Sequence, residues 1–319
     1  MTSLRLPLQA TLLRSPATFA FDATSSPWSL SMLKSRFSQR ALHPPMTEDP
    51  RFSRLLDDDK SLPFGRFLRR LRRLEEKEAL TDLPYLRNIW LCNDFPELVG
   101  EVEPMVKVLG NNFLSHPLLA DVIPNVWQRW IELFISPRGV RYPEVHVDTH
   151  HTHAWLAQLE GTKRVSFWPP KTKPATRCGW SEIEDATRSQ RIDESELQID
   201  VDEHTNLDKV FSHAPPFEVL LEAGNLAIIP AGWWHTTETL ETSLTLSGNF
   251  VGPDNLRDFM ASVAKKAAAS SKIEAVYGEK ASEPAWECTL DEALSLHGPT
   301  LLQEADALLE TWCKTLDAA

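Results

Sequence analysis

His146-Val147-Asp148 places an imidazole and a carboxylate two positions apart. On an extended strand residues i and i+2 point to the same side, so this pair would stand together. A further imidazole, His235, ends the run Pro230-Ala231-Gly232-Trp233-Trp234-His235, which follows the apolar stretch Asn225–Ile229. In a small barrel a Pro/Gly turn of this kind returns the chain to the mouth, where the first pair would also lie. Two His and one carboxylate on one face of an octahedral metal leave three positions open, which suits non-heme Fe(II) chemistry with O2. His-x-Asp alone is weak, because a surface strand presents the same triplet by accident. A competing register pairs Asp148 with His150 in reversed order, with His151 and His153 as further imidazoles close by. These three could form a cluster on the substrate side or groups that support the ligands from behind, and the plain alternative is an exposed polar turn. His213 reads as structural, and His43, His116, His204 and His297 have no motif around them.

The elements that must position these groups are short strands. Candidates are Trp130–Pro137, Val145–Asp148, Ala154–Leu159, Arg164–Trp168, Glu218–Leu221, Asn225–Ile229 and Thr242–Phe250. They are β-branched or aromatic and bounded by Gly or Pro, and their number and spacing suggest a barrel or sandwich. Residues 1–25 look loosely ordered. Residues 26–124 form a helical lead-in, with a helix near 27–37 capped by Ser26 or Ser29 and an amphipathic helix from Phe64 to Leu80. In the second helix Phe67, Leu68, Leu71 and Leu74 form the apolar stripe, and a set of arginines lies opposite. Residues 81–135 read as short helices and turns. Residues 125–252 carry the strands, interrupted by an insert at 171–212 whose part from Glu182 to Glu203 is strongly acidic. Residues 253–319 turn helical, with stripes such as Leu256, Phe259, Met260 and Val263 that fit either packing under the barrel or a homodimer.

Composition narrows the partners. The 319 residues carry a net charge of −12, which argues against nucleic acid or an anionic membrane as the main partner. Eleven Trp point to a sizeable core. Cys92, Cys178, Cys288 and Cys313 make no CxxC pair, so a zinc ribbon is not expected, and reduced thiols in cytoplasm or nucleus are the default. The first twenty-one residues are basic and free of acids, faintly like an organelle transit peptide. No apolar run reaches the length of a membrane span.

Longer motifs surround the candidate ligands. The first is His146-Val147-Asp148 followed by Ala157-Gln158-Leu159-Glu160-Gly161-Thr162-Lys163-Arg164 and Val165-Ser166-Phe167-Trp168-Pro169-Pro170. The second is Glu222-Ala223-Gly224-Asn225 through Ile229-Pro230 to His235, with Ser243 to Phe250 closing. In this order they resemble the core of the JmjC/cupin-like oxygenases. With fifteen positions from His146 to Gly161, and Thr152-His153-Ala154-Trp155 between, the sequence is similar to the lysyl-hydroxylase-like branch.

The resemblance implies a mainly β protein with flanking helices and a double-stranded β-helix (jelly-roll, cupin) core. It implies Fe(II) held by His146, Asp148 and His235, with 2-oxoglutarate as co-substrate and O2 as oxidant. Lys163 matches the cation that holds the co-substrate's distal carboxylate. Ser247, Asn249 and Tyr142 are further co-substrate candidates. Two positions depart from the family pattern: Pro143 stands for a Thr and Leu156 for an Asn, so one side of the pocket should be drier. The reaction implied is hydroxylation of a C–H bond, ending as demethylation when the carbon is next to nitrogen. Three readings of the substrate stay open: a protein or peptide side chain, a small molecule of metabolism, or a cupin-fold binding protein without turnover. The acidic insert would steer a basic substrate.

Overall fold

The structure, a computed structural model, describes residues 15–21, 28–43, 51, 54–77, 83–106, 109–170, 198–200, 204–211, 215–277 and 286–317. Alternating strands build two facing antiparallel sheets. The strands are β1 (Ala17–Ala20), β4 (Leu86–Trp90), β5 (Glu132–Ser136), β6 (Glu144–His146), β7 (His153–Glu160), β8 (Thr162–Trp168), β9 (Gln198–Asp200), β10 (Phe217–Glu222), β11 (Asn225–Ile229), β12 (Trp234–Thr239) and β13 (Ser243–Phe250). A separate pair, β2 (Ala41–Leu42) and β3 (Leu62–Pro63), lies in the lead-in. One sheet has the order β1-β11-β7-β13-β5-β4 and the other β10-β8-β12-β6-β9. The chain crosses between them at Gly161, at residues 223–224 and at residues 240–242. This alternation is the jelly-roll that the family resemblance implies, within the barrel or sandwich suggested by the strand pattern.

Side chains at every second position meet between the sheets. Tyr85, Phe134, Val140, Leu156, Val165, Phe167, Leu221 and Ile229 form this interior. The outer face of the six-stranded sheet is covered by the lead-in. Its helices are α1 (Leu30–Phe37) and α2 (Phe64–Glu75). Ser29 caps α1 by accepting a hydrogen bond from the Met32 amide at 3.1 Å. Leu33 and Phe37 of α1 join Phe64, Phe67, Leu68 and Leu71 of α2 in one core with Trp155 and Leu246 of the sheet. Each such side chain taken from water contributes roughly 1.5–3 kcal/mol, which is why the lead-in docks rather than remaining loose. The exposed arginines of α2 face away from this core.

Two long helices close the chain, α3 (Leu256–Tyr277) and α4 (Trp286–Asp317). Leu256, Phe259 and Val263 pack with Leu290, Leu294 and Leu301 against Phe113, Leu114, Leu119 and Trp130. Leu256, Phe259 and Val263 of the stripe are thus buried within the chain.

Three elements differ from the sequence expectations. Ala17–Ala20, inside the stretch expected to be loose, pairs along β11 from Ala17↔Ile228 to Ala20↔Asn225. Leu86–Trp90 is a strand rather than a turn or short helix, with a register shift between Leu86 and Ile89 where Asn88 takes φ 59. Trp234–Thr239, which begins one residue before His235, is a full strand between β8 and β6. Its composition is largely Thr, His and Glu, so apolar alternation does not announce it. Of the acidic segment from Glu182 to Glu203, all but Gln198–Asp200 lies outside the described residues, as does Cys178. No helix among the described residues is long and apolar enough to cross a membrane.

Candidate metal centre

Strand pairing brings the three candidate ligands together. His146 on β6 stands directly opposite His235 on β12, and their ring centroids are 4.2 Å apart. Strand β6 ends at His146, but the backbone stays extended through Asp148 (φ −65, ψ 144), which keeps His146 and Asp148 on one side. One ligand atom from each of His146, Asp148 and His235 lies within 4.8 Å of the others. His235 Nε2 is 3.7 Å from Asp148 Oδ2. Its other nitrogen, Nδ1, faces the Trp233 carbonyl oxygen at 3.2 Å, the second partner that fixes a ligating imidazole's tautomer. Asn249 bonds the Asp148 carboxylate and donates from Nδ2 to Thr152 Oγ1 at 2.8 Å.

The donor set suits a divalent cation. His146 Nδ1 is buried without a hydrogen-bond partner. Burial, and then the neighbouring His235, holds the His146 imidazole well below its usual range, so it is neutral and able to ligate. Burial pushes the Asp148 carboxyl up, opposed by His235 and by the Asn249 hydrogen bond. Both shifts disfavour the charged form. A bound cation would relieve the upward shift of the carboxyl and accept the lone pair of an imidazole that burial already keeps neutral. The reversed Asp148/His150 register is not the one the fold assembles. His150 is buried against Trp130 and Phe259, with Nδ1 3.3 Å from Ser262 Oγ.

Lys163 points into the barrel from β8 and is only 1% exposed. Its amine donates to the Tyr85 phenol and sits over the Tyr85 ring at 4.6 Å. Burial alone brings its pKa down to about 7. A buried amine without a carboxylate beside it is costly, and an acidic ligand would relieve the cost. Tyr85 is 3.4 Å from Thr237 Oγ1, so two hydroxyls lie near the amine. Leu156 belongs to the apolar interior, as its substitution for a polar residue implied, and Tyr85 and Thr237 supply the polarity instead.

Ser247 and Asn249 share the inward face of β13, and Ser247 is aligned with Leu156 on one side and Glu132 on the other. Tyr142 lies against His146 with ring centroids 5.1 Å apart. Its hydroxyl accepts from Arg87 Nη1 at 3.1 Å, and Arg87 also pairs with Glu144 at 2.9 Å. Arg87 is on β4 and Glu144 on β6, so this ion pair ties the two sheets together beside the candidate ligands.

Sequence reading missed Tyr85, Arg87 and Glu132. Glu132 begins β5, shares its inward side with Phe134, and lines a cleft of about 1070 Å³. Trp90, Arg129, Trp130, His146, Asp148 and Asn249 line it too. Burial brings the Glu132 carboxyl up to about 7, with Asp148 adding to the rise, against the Asn88 amide hydrogen bond and Arg87. The signal available was a lone acid opening the apolar strand Glu132-Leu133-Phe134-Ile135.

Two facing antiparallel sheets with a His-x-Asp…His set at one end define a jelly-roll protein of the metal-binding cupin kind. The chain belongs to the cupin-like domain family, whose sequence profile matches residues 29–256. It is similar to the mouse "2-oxoglutarate and iron-dependent oxygenase JMJD4" at 27% identity over 177 residues, 54% of this chain and 37% of that protein. The human protein of the same name is 24% identical over 172 residues, again 54% and 37%. The Arabidopsis thaliana "Arginine-specific demethylase JMJ22" is 28% identical over 128 residues, 40% of this chain and 24% of that protein. These matches span little more than a third, or less, of the relatives' own length.

Proposed function

We propose that the protein is an Fe(II)- and 2-oxoglutarate-dependent oxygenase that hydroxylates a C–H bond on a protein or peptide side chain. The observation that carries this reading is the His146, Asp148 and His235 set in the same barrel as the buried Lys163 amine. The names of the JMJD4 relatives support it. His146, Asp148 and His235 would hold the iron. Lys163 and Tyr85 would receive the distal carboxylate of the co-substrate, as a paired charge inside the barrel. Ser247 and Asn249 offer hydrogen bonds on the inward face of β13, and Tyr142 packs on the His146 ring. When bound, Fe(II) and 2-oxoglutarate would let O2 act as the oxidant for C–H hydroxylation, one oxygen atom going to the substrate and the other to succinate as CO2 is lost. The apolar interior of Phe134, Leu156, Val165 and Ile229 keeps water away from that end of the barrel.

The cleft favours a polypeptide substrate. At about 1070 Å³ it is at the upper end for a small-molecule site, and it runs from the metal ligands out between Trp90–Val99 and Ile123–Trp130. Glu132 on its wall suits a cationic side chain, and the Arabidopsis relative is named for arginine. The test is incubation of the Fe(II)-loaded protein with 2-oxoglutarate and cell extract, followed by mass spectrometry of peptides and metabolites. A +16 Da peptide product, absent with His146→Ala, is expected. Succinate release with oxidation confined to metabolites would overturn the polypeptide assignment.

A further inference from the structure

The three histidines that follow Asp148 lie outside the His146, Asp148 and His235 set, yet each is held, by ring or by backbone, by residues at the start of the C-terminal helical region. The turn Thr149–His151 places two consecutive residues, His150 (φ 54) and His151 (φ 52), in the left-handed region. Neither is a glycine, and such a conformation persists only where the surroundings enforce it. Here the enforcing groups are visible. The His150 ring is 2% exposed and packs edge-on against Trp130 and against Phe259 of α3, with Nδ1 3.3 Å from Ser262 Oγ of the same helix. Asn255 donates from Nδ2 to the His151 carbonyl oxygen at 2.7 Å, while its Oδ1 accepts from the Gly252 amide at 2.7 Å. His153 Nε2 is 3.2 Å from Asp254 Oδ1, and its Nδ1 accepts from the Ala231 amide at 2.9 Å.

These contacts converge on the ligands. Asp148 immediately precedes the strained turn, and Ala231 is in the Pro/Gly turn that delivers His235. Phe259 and Ser262 lie beyond the residues matched by the cupin-like profile. We infer that Asn255 and His150 are positioning residues for the metal centre, and that α3 is a working part of that centre through its grip on the turn after Asp148. The inference rests on the metal-binding reading above. It also assigns the His150, His151 and His153 group, which the sequence left open between a polar turn, a substrate-side cluster and groups that support the ligands. A left-handed turn released from α3 would let the Asp148 carboxylate leave the face shared with the two imidazoles.

The experiment uses the full chain and Co(II) alone as probe, with the visible ligand-field spectrum and the dissociation constant as readouts. Thermal unfolding of the metal-free protein runs in parallel. Asn255→Asp keeps the acceptor for Gly252 and removes the donor to His151. His150→Ala removes the ring and the preference for left-handed backbone, and His150→Asn keeps that preference. Asn255→Asp and His150→Ala are expected to weaken Co(II) binding about tenfold and to alter the spectrum, the size typical of groups that orient metal ligands. His150→Asn is expected to recover part of the loss. Arg257→Ala, at an exposed pair with Asp306 on the same helix, is expected to leave both readouts unchanged. Wild-type spectra and affinities within twofold for Asn255→Asp and His150→Ala would overturn the inference while leaving the metal centre standing. Should either variant fail to fold, Ser262→Ala decides: a few-fold loss supports the inference and a wild-type value overturns it. A wild-type chain that binds no Co(II) would sink the metal centre and this inference with it.

Discussion

Lys163 donates its hydrogen bond to the phenol of Tyr85, and the pair is sealed between the two sheets. The contact joins a strand of the barrel to Tyr85, just ahead of β4. It places a cation whose charge burial disfavours where a carboxylate would restore it. With its pKa at about 7, the Lys163 amine is mostly neutral at pH 8. A dicarboxylate bound beside it draws a proton back. Binding of 2-oxoglutarate to the Mn(II)-loaded protein at pH 8 should therefore take up close to one proton. Isothermal titration in two buffers of different ionisation enthalpy measures this. Lys163→Met should abolish the uptake and weaken co-substrate binding by 2 kcal/mol or more, on the order expected for a buried charge-assisted pair.

Glu132 makes a prediction of opposite sign. Its folded pKa, about 7, lies above its ordinary value of 4.5. The stabilisation linked to its protonation is therefore complete below about 4.5 and lost as pH rises through about 7. Glu132→Gln should be more stable than the wild type at pH 8, on the order of 2 kcal/mol, with the gap closing towards pH 5. Urea unfolding at the two pH values checks it. The same variant should lose turnover of a cationic substrate while retaining 2-oxoglutarate binding.

Gly161 carries the crossing from β7 to β8 with φ +75. A Cβ there would meet the carbonyl oxygens of Thr242 and Glu241. Gly161→Ala should cost roughly 2 kcal/mol or more, because both the backbone angle and the space are wrong for a side chain. Chemical unfolding gives the value, and an unchanged midpoint would contradict the crossing geometry.

Much of the candidate site was legible in the sequence because one spacing and one turn carry it. The i, i+2 spacing of His146 and Asp148 needs only an extended backbone, and the structure supplies it even past the last strand residue. The Pro/Gly turn before His235 announces a return of the chain. Strand β12 itself was not legible, since its inward positions are His and Thr rather than apolar residues. Strand β4 was hidden by Arg87 and by the irregular backbone at Asn88. Tyr85 and Arg87 act across long separations, and nothing local in the sequence marks a residue whose partner is more than fifty positions away. Glu132 differs, because a single acid on the inward side of an apolar strand is a readable exception to the pattern.

Fe(II) binding at His146, Asp148 and His235 is the central claim, and one anaerobic titration tests it most directly. Protein with Fe(II) should develop a weak visible charge-transfer band when 2-oxoglutarate is added, and should release succinate once O2 is admitted. Separate His146→Ala and Asp148→Ala variants should show neither. A wild-type protein without band or succinate, indistinguishable from His146→Ala, would contradict the account.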